Sequence, residues 1–295
     1  MIQNKIKGVG VALITPFDNC NVDYDALQRM VDHVIEGGVD YIVALGSTAE
    51  TATLNMKERQ EVYDFIVART SGRVPIVVGM GSNNTQELVE QLQSFDMHDA
   101  VAILSVVPYY NKPSQEGIYR HYMAVAEASP VPVILYNVPG RTGVNMTAET
   151  TLRLAKASNK IVAVKEASGD MEQMQRIIDQ RPENFLVLSG DDGLTVELIK
   201  RGGEGVISVA ANAFVESFCG CVHDAMVGKT RDAEAQMEKL LKPIDLLFKE
   251  GNPTSVKVMT SLMGLTTAEV RLPLVEGKKD LTEQMRKAIA EYNLR

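Results

Sequence analysis

Lys165 closes the apolar run Ile161-Val162-Ala163-Val164, and it is the residue in this chain whose type and place most suggest chemistry. A run that is apolar at every position reads as a strand buried on both faces, as in parallel sheets. A lysine at the C-terminal end of such a strand holds its amine in a partly desolvated pocket, and desolvation disfavours an ammonium ion. The neutral amine is a nucleophile toward carbonyl carbon. At a reference pKa near 10.4 only about one lysine in a few thousand is neutral at pH 7. A lysine tuned to roughly 7 to 8 is neutral in a useful fraction. The plain alternative is a rim lysine whose stem covers the core while its ammonium reaches water, and for a single lysine in a strand that is the commoner case.

Other reactive or binding side chains follow similar apolar runs. Ser47 and Thr48 follow 41–46, Tyr109 and Tyr110 follow 100–107, Tyr136 lies at the end of 131–137 with Arg141 close behind, Gly190-Asp191-Asp192 stands at the end of 185–190, and Ile207 lies in 205–210. Lysine, hydroxyls and one guanidinium fit imine chemistry on a 2-oxo acid. The amine adds to the carbonyl, water leaves, and the protonated imine becomes an electron sink for a carbanion at the neighbouring carbon. Each stage moves a proton, which a tuned tyrosine phenol and a chain of Ser/Thr hydroxyls can carry. Ser47 and Thr48, just before a predicted helix, offer hydroxyls and backbone N–H groups to a carboxylate. Arg141 can hold a second carboxylate through two parallel hydrogen bonds, which a lysine cannot. Taken singly, Tyr136 is a strand-end ring with a wet hydroxyl, Ser47-Thr48 a turn, and Arg141 a solvated charge after Pro139-Gly140. Their joint occurrence at strand ends carries the weight.

The elements that must position these residues are eight short apolar runs, at 8–14, 41–46, 75–80, 100–107, 131–137, 161–166, 185–190 and 205–210. Between the first two, Leu27, Met30, Val31, Val34 and Ile35 trace a helical stripe that Gly37-Gly38 stops. Asn55 with Glu58, and Asn84 with Glu87, predict helix N-caps with an acidic partner three residues on. Strand–helix alternation implies right-handed parallel crossovers, and eight units closing on themselves make a (β/α)8 TIM barrel, whose sites lie at the C-terminal strand ends. We place the catalytic barrel at residues 1–228, its last helix near 213–226. A C-terminal helical domain follows at 229–295, with helical stretches at 231–249, 253–263 and 281–292. A doubly wound dinucleotide fold lacks its fingerprint, because Gly79-Met80-Gly81 is followed by Ser82-Asn83-Asn84 without the third glycine.

Composition narrows the function classes. The chain has 295 residues, 45% hydrophobic and 23% charged, with a net charge of −8, no tryptophan and no Lys/Arg cluster, so no nucleic-acid partner is expected. No apolar stretch reaches the roughly 18 to 20 residues that span a bilayer, and residues 1–7 show no secretory leader, which predicts a cytoplasmic protein. Cys20, Cys219 and Cys221 are too few and too irregular for a disulfide framework. His33, His98, His121 and His223 show no ligand spacing, so neither metal nor cofactor is expected. A metal-dependent barrel using Glu50, Glu166, Asp191 and Asp192 is the rival this weakens.

The strings GSTAET (46–51), PYYNKPSQEG (108–117), YNVPGRTG (136–143), VKEASGD (164–170), LSGDD (188–192) and GVISV (205–209), with Asn252-Pro253 beyond them, resemble those of the dihydrodipicolinate synthase family of pyruvate-dependent Schiff-base aldolases. The resemblance spans the chain. It implies a lyase of lysine and diaminopimelate biosynthesis that condenses pyruvate with L-aspartate 4-semialdehyde. It further implies Lys165 as the Schiff-base residue, Tyr136 as proton donor and acceptor, and Ser47 and Tyr110 as the rest of the relay. Thr48, Ile207 (through its backbone) and Gly190 would form the pyruvate side, and Arg141 the semialdehyde carboxylate site. A homotetramer, a dimer of dimers, would supply Tyr110 from a neighbouring subunit. Ser47 replaces a threonine common in the family and keeps the hydroxyl. Thr51, Ala52, Asn83, Glu87 and Tyr109 are compatible with a lysine feedback site, although Met56 and Arg59 stand where inhibited members often have histidines. Two alternatives remain: N-acetylneuraminate lyase or another sugar-acid aldolase of the same superfamily, against which GRTG argues, and a non-catalytic pyruvate or lysine sensor.

Overall fold

A computed structural model describes residues 2–292. The eight apolar runs are its eight barrel strands: β1 (Gly8–Ala12), β2 (Tyr41–Ala44), β3 (Ile76–Gly79), β4 (Ala100–Val106), β5 (Val133–Asn137), β6 (Ile161–Glu166), β7 (Leu186–Ser189) and β8 (Gly205–Ser208). All pair in parallel with their sequence neighbours, and β8 closes onto β1. The runs are uniformly apolar because both strand faces are covered. Tyr41, Val43, Leu104, Ile134, Leu188 and Ile207 fill the barrel interior, while Val9, Ile42, Val78, Ile103, Leu135 and Val187 pack outward against the helices. At roughly 1.5–3 kcal/mol for each large apolar side chain fully buried, these two layers dominate the stability of the fold.

Helix ends follow local chemistry. Asn55 and Glu58 form the reciprocal box that starts Met56–Thr70. Only half of the second box forms. Asn84 accepts from the Glu87 N–H, but Ser82 Oγ takes the Glu87 carboxylate and accepts from the Asn84 N–H, leaving nothing for Glu87 to cap. The first helix, Tyr24–Glu36, buries Leu27, Met30, Val31 and Val34 as the stripe predicts. Among the described residues no helix is long and apolar enough to cross a membrane.

After the barrel's last helix, Val215–Met226, come Thr230–Leu246, Thr254–Leu262 and Lys279–Tyr292, each close to a predicted helical stretch. Val256, Met259, Leu281 and Met285 join the same apolar cluster as the outward strand residues, so the C-terminal helices share the barrel's outer core. Cys219 and Cys221 are buried, and burial pushes their thiols up to about 12 and about 11. Cys221 Sγ donates to the Ala233 carbonyl, 3.2 Å away.

His121, on the helix Gln115–Ala128 and facing the helix Thr85–Ser94, is buried with Nδ1 2.9 Å from Thr85 Oγ1 and Nε2 without a partner. Burial depresses its pKa to about 4. The unfolded chain takes up this proton near pH 6.5 and the folded chain only near 4, so stability present above 6.5 is lost as pH falls through that window. The expected loss is at most about 3 kcal/mol. Urea unfolding of the unaltered protein and of His121→Leu at pH 7 and pH 4.5 checks this. The stability of the unaltered protein should fall relative to that of His121→Leu between pH 7 and pH 4.5, and an unchanged difference contradicts the assignment.

Candidate active site

Tyr136 and Lys165 are direct neighbours across β5 and β6. Both side chains turn inward at the C-terminal rim, where Lys165 Nζ stands 4.3 Å from the centroid of the Tyr136 ring. Lys165 is only 4% exposed, so the rim-lysine alternative, with its amine in water, does not describe it. The two line a cavity of about 130 Å³ that also receives Thr48, Arg141, Gly190 and Asp191. Wider, more open grooves between Gln115–Ala128 and Ala148–Ala157, of about 530 and 730 Å³, hold none of these residues.

Gly190 makes room for the lysine. A Cβ at this position would lie 2.6 Å from Ala167 Cβ and 3.1 Å from Lys165 Cε. Its N–H donates to the Glu166 carbonyl at 2.7 Å, which holds β7 against β6 at the cavity. Asp192, fully enclosed, accepts from the Val209 and Ala210 N–H groups and fixes the turn after β8. Burial pushes its carboxyl up to about 6. Ile207 is buried in the barrel interior, in the same apolar cluster as Tyr136, and the β8 side of the cavity wall is Val209.

Ser47 and Thr48 lie in a short 3-10 turn, Ser47–Ala49, rather than at the start of an α-helix. Glu50 adopts a left-handed conformation (φ 55°) that breaks the turn, a second 3-10 turn follows at Thr51–Thr53, and the next α-helix begins only at Met56. Thr48 is buried toward the lysine cavity, while Ser47 lines a second cavity of about 410 Å³. Tyr136, Val138 and Arg141 line both and form the partition between them. Arg141 sits in a single helical turn, Pro139–Thr142, that Gly143 (φ 75°) ends. Its guanidinium donates to the Asn252 carbonyl at 3.1 Å, and Asn252 Nδ2 donates to Thr48 Oγ1 at 2.9 Å. Asn252 Oδ1 is buried and unpartnered.

The loop carrying these hydroxyls is tied to the C-terminal segment by charges. Glu50 pairs with Lys257, both fully enclosed, and accepts from the Arg271 N–H at 2.9 Å. Lys257 Nζ also donates to the Glu269 carbonyl at 2.9 Å and lies 4.1 Å from the centroid of Phe17. Burial draws its ammonium down to about 8. Arg271 grips Glu58, which itself completes the capping box of the helix Met56–Thr70. Sequence reading missed Lys257, Arg271 and the contacts of Asn252. Only the Asn252-Pro253 string pointed near them.

The larger cavity collects Thr51, Ala52 and Tyr109 with Arg59, whose guanidinium donates to the Thr51 and Leu54 carbonyls. Asn83 and Glu87 stand outside its lining: Asn83 Nδ2 donates to the Tyr109 carbonyl, and Glu87 is held by Ser82. Tyr110 reaches neither cavity of its own chain. It is 88% exposed with φ 71°, a rare conformation for a bulky residue that costs on the order of 1–3 kcal/mol. The acidic residues of the metal reading are separately engaged: Glu50 by Lys257, Asp192 by backbone N–H groups, Asp191 as the cap of Gly193 and Glu166 by side-chain amides. Among the described residues no His/Cys/Asp/Glu cluster could hold a metal.

A closed parallel barrel with a buried lysine and tyrosine side by side at adjacent strand ends defines a barrel of the imine-forming class. A family model described as the dihydrodipicolinate synthetase family matches residues 5–292. A 4-hydroxy-tetrahydrodipicolinate synthase of Phocaeicola vulgatus is 51% identical over 296 residues, covering 100% of both chains. The solved dihydrodipicolinate synthase of Acinetobacter baumannii, complexed with pyruvate, matches with a TM-score of 0.95 at 38% identity, covering 98% of this chain and 100% of that one. A solved monomeric dihydrodipicolinate synthase variant matches with a TM-score of 0.96 at 35% identity over 99% of each. The chain belongs to the dihydrodipicolinate synthetase family.

Because Gly190 borders Lys165 Cε, Gly190→Ala should displace the amine and lower kcat/KM on the order of 10–100-fold. Steady-state kinetics beside a melting curve checks this. Full activity in the folded variant contradicts the crowding argument.

Proposed function

We infer that this enzyme condenses pyruvate with L-aspartate 4-semialdehyde through an imine at Lys165, releasing (2S,4S)-4-hydroxy-2,3,4,5-tetrahydrodipicolinate and serving lysine and diaminopimelate biosynthesis. The observation that carries this is the enclosed Lys165 amine over the Tyr136 ring, in a small cavity shared with Thr48 and Arg141. In this reading the amine adds to pyruvate C2, and loss of water leaves the protonated imine. A methyl proton then departs to give an enamine, whose carbon bonds to the semialdehyde aldehyde carbon. The semialdehyde amine next displaces Lys165 at C2, closing the ring and freeing the enzyme. Tyr136 moves the protons, with Ser47 behind it across the partition. Thr48 and the backbone at Ile207 hold the pyruvate carboxylate, and Arg141 holds the semialdehyde carboxylate. The cavity's size suits a three-carbon acid, and its single guanidinium suits one further carboxylate.

Tyr110 would act in another subunit of a homotetramer, a dimer of dimers. Its exposure and left-handed backbone support this, since a strained, solvent-facing tyrosine gains contacts only from a partner. Residues 1–228 would then form the catalytic unit, and 229–295 a helical unit that also walls the site through Asn252. The larger cavity, with Thr51, Ala52 and Tyr109 in its lining and Asn83 and Glu87 nearby, would be the place for feedback by lysine. Arg59 occupies part of that space, and its cation opposes the lysine ammonium.

Initial rates decide among the aldolase readings. Pyruvate with L-aspartate 4-semialdehyde should turn over and N-acetylneuraminate should not be cleaved, and the reverse result contradicts the assignment. Tyr110→Phe should lower kcat by about 10²-fold, in the range of a lost proton-transfer group, and an unaffected kcat removes Tyr110 from the relay.

A further inference from the structure

The rim of β5 and β6 carries two residue pairs in register, Tyr136 opposite Lys165 and Asn137 opposite Glu166. Alternation along the strands sends the first pair into the barrel and the second outward under the helices. Outside, the fully buried Glu166 carboxylate is met by amides. It accepts from Asn137 Nδ2 at 3.0 and 3.1 Å, from Gln173 Nε2 at 3.0 Å and from the Ser168 N–H at 2.9 Å. Asn137 is itself fixed, accepting from the Met146 N–H at 2.9 Å.

Lower in the same strand pair the register slips. Val133 faces Ile161, but Ile134 faces Ala163, so β6 spends one extra residue there. Val162 and Ala163 accordingly both belong to the inner cluster, while Ile161 and Val164 belong to the outer one. Bulges of this kind re-aim side chains near active sites. Here the consequence is specific. Counted from Ile161 without the bulge, strict alternation would turn Lys165 out among the helices and Glu166 into the cavity.

We propose that Glu166, gripped by Asn137, is the positioning residue that holds β6 in its bulged phase and so keeps the Lys165 amine against the Tyr136 phenol. The inference rests on the Lys165–Tyr136 reading above. Asn137 binds the carboxylate from the neighbouring strand. Gln173 binds it from the helix Met171–Gln180, where it also meets Asn145 and the Met146 carbonyl, and it belongs to neither strand of the β5–β6 pair.

That difference supplies the test. Asn137→Ala and Gln173→Ala each remove one amide donor from the same carboxylate. Asn137→Ala should lower both kcat and the rate of borohydride-trapped pyruvate adduct on the order of 10–100-fold and shift the pH profile of kcat, with pyruvate KM changed by less than about threefold. Gln173→Ala should keep kcat within about twofold while losing comparable Tm. Asn137→Ser, which retains a donor, and Glu166→Asp, which retains the carboxylate, should recover part of the rate and decide the matter if Asn137→Ala does not fold. The proposal is overturned if the Asn137 variants trap pyruvate as fast as Gln173→Ala, or if both positions lose kcat equally. No adduct in the unaltered protein would instead count against the imine reading itself.

Discussion

A charged amine can sit inside a closed parallel barrel only where the strand that carries it ends. Below the rim the interior is filled by Tyr41, Leu104, Ile134, Leu188 and Ile207, which offer an ammonium no hydrogen-bond partner beyond one tyrosine hydroxyl already turned to the Val206 carbonyl. Burying an unpaired charge there would cost more than the fold could bear. At the rim Lys165 meets a ring face, hydroxyls and a small polar cavity, while its stem still rests on the apolar layer. Gly190 is bare so that the stem fits, and the Asn252 contacts place Thr48 and Arg141 at the opposite wall.

The C-terminal helices belong to this arrangement. A turn such as Ser47–Ala49 is short and would be mobile if left to itself. It is clamped by Asn252 on Thr48 and by Lys257 and Arg271 on Glu50, all from the last third of the chain. A buried ion pair adds little net stability, because desolvation offsets most of the attraction, yet losing one partner costs about 3–5 kcal/mol. Such a pair is better suited to fixing a position than to strengthening a fold. It fixes the side of the site that would grip carboxylates.

Much of this was legible in the sequence, for identifiable reasons. Strands buried on both faces write themselves as unbroken apolar runs, so all eight were found with nearly correct ends. Asn55 and Glu58 announced a helix start because capping is local. Lys165 and Tyr136 stood out as polar residues at the ends of such runs. What escaped was long-range or a matter of phase. Nothing near Thr48 points to Asn252, 204 residues away. The run Ile161-Val162-Ala163-Val164 names a strand but hides the bulge within it, and with it the face on which Lys165 emerges. The left-handed backbone at Tyr110 and Glu50 has no marker, since neither residue is a type that favours it. Asn84 caps its helix as the spacing predicts, but Glu87 does not return the bond because Ser82, two residues upstream of the cap, takes its carboxylate.

The central claim is that Lys165, near the end of β6, becomes covalently bound to substrate, and reduction in place tests it most directly. The protein is incubated with pyruvate and borohydride, digested, and the modified peptide located by mass spectrometry. A stable adduct of the reduced pyruvate imine on Lys165, absent from Lys165→Ala, is the result this account predicts. An active protein that yields no adduct, or one modified at another lysine such as the enclosed Lys257, would contradict it.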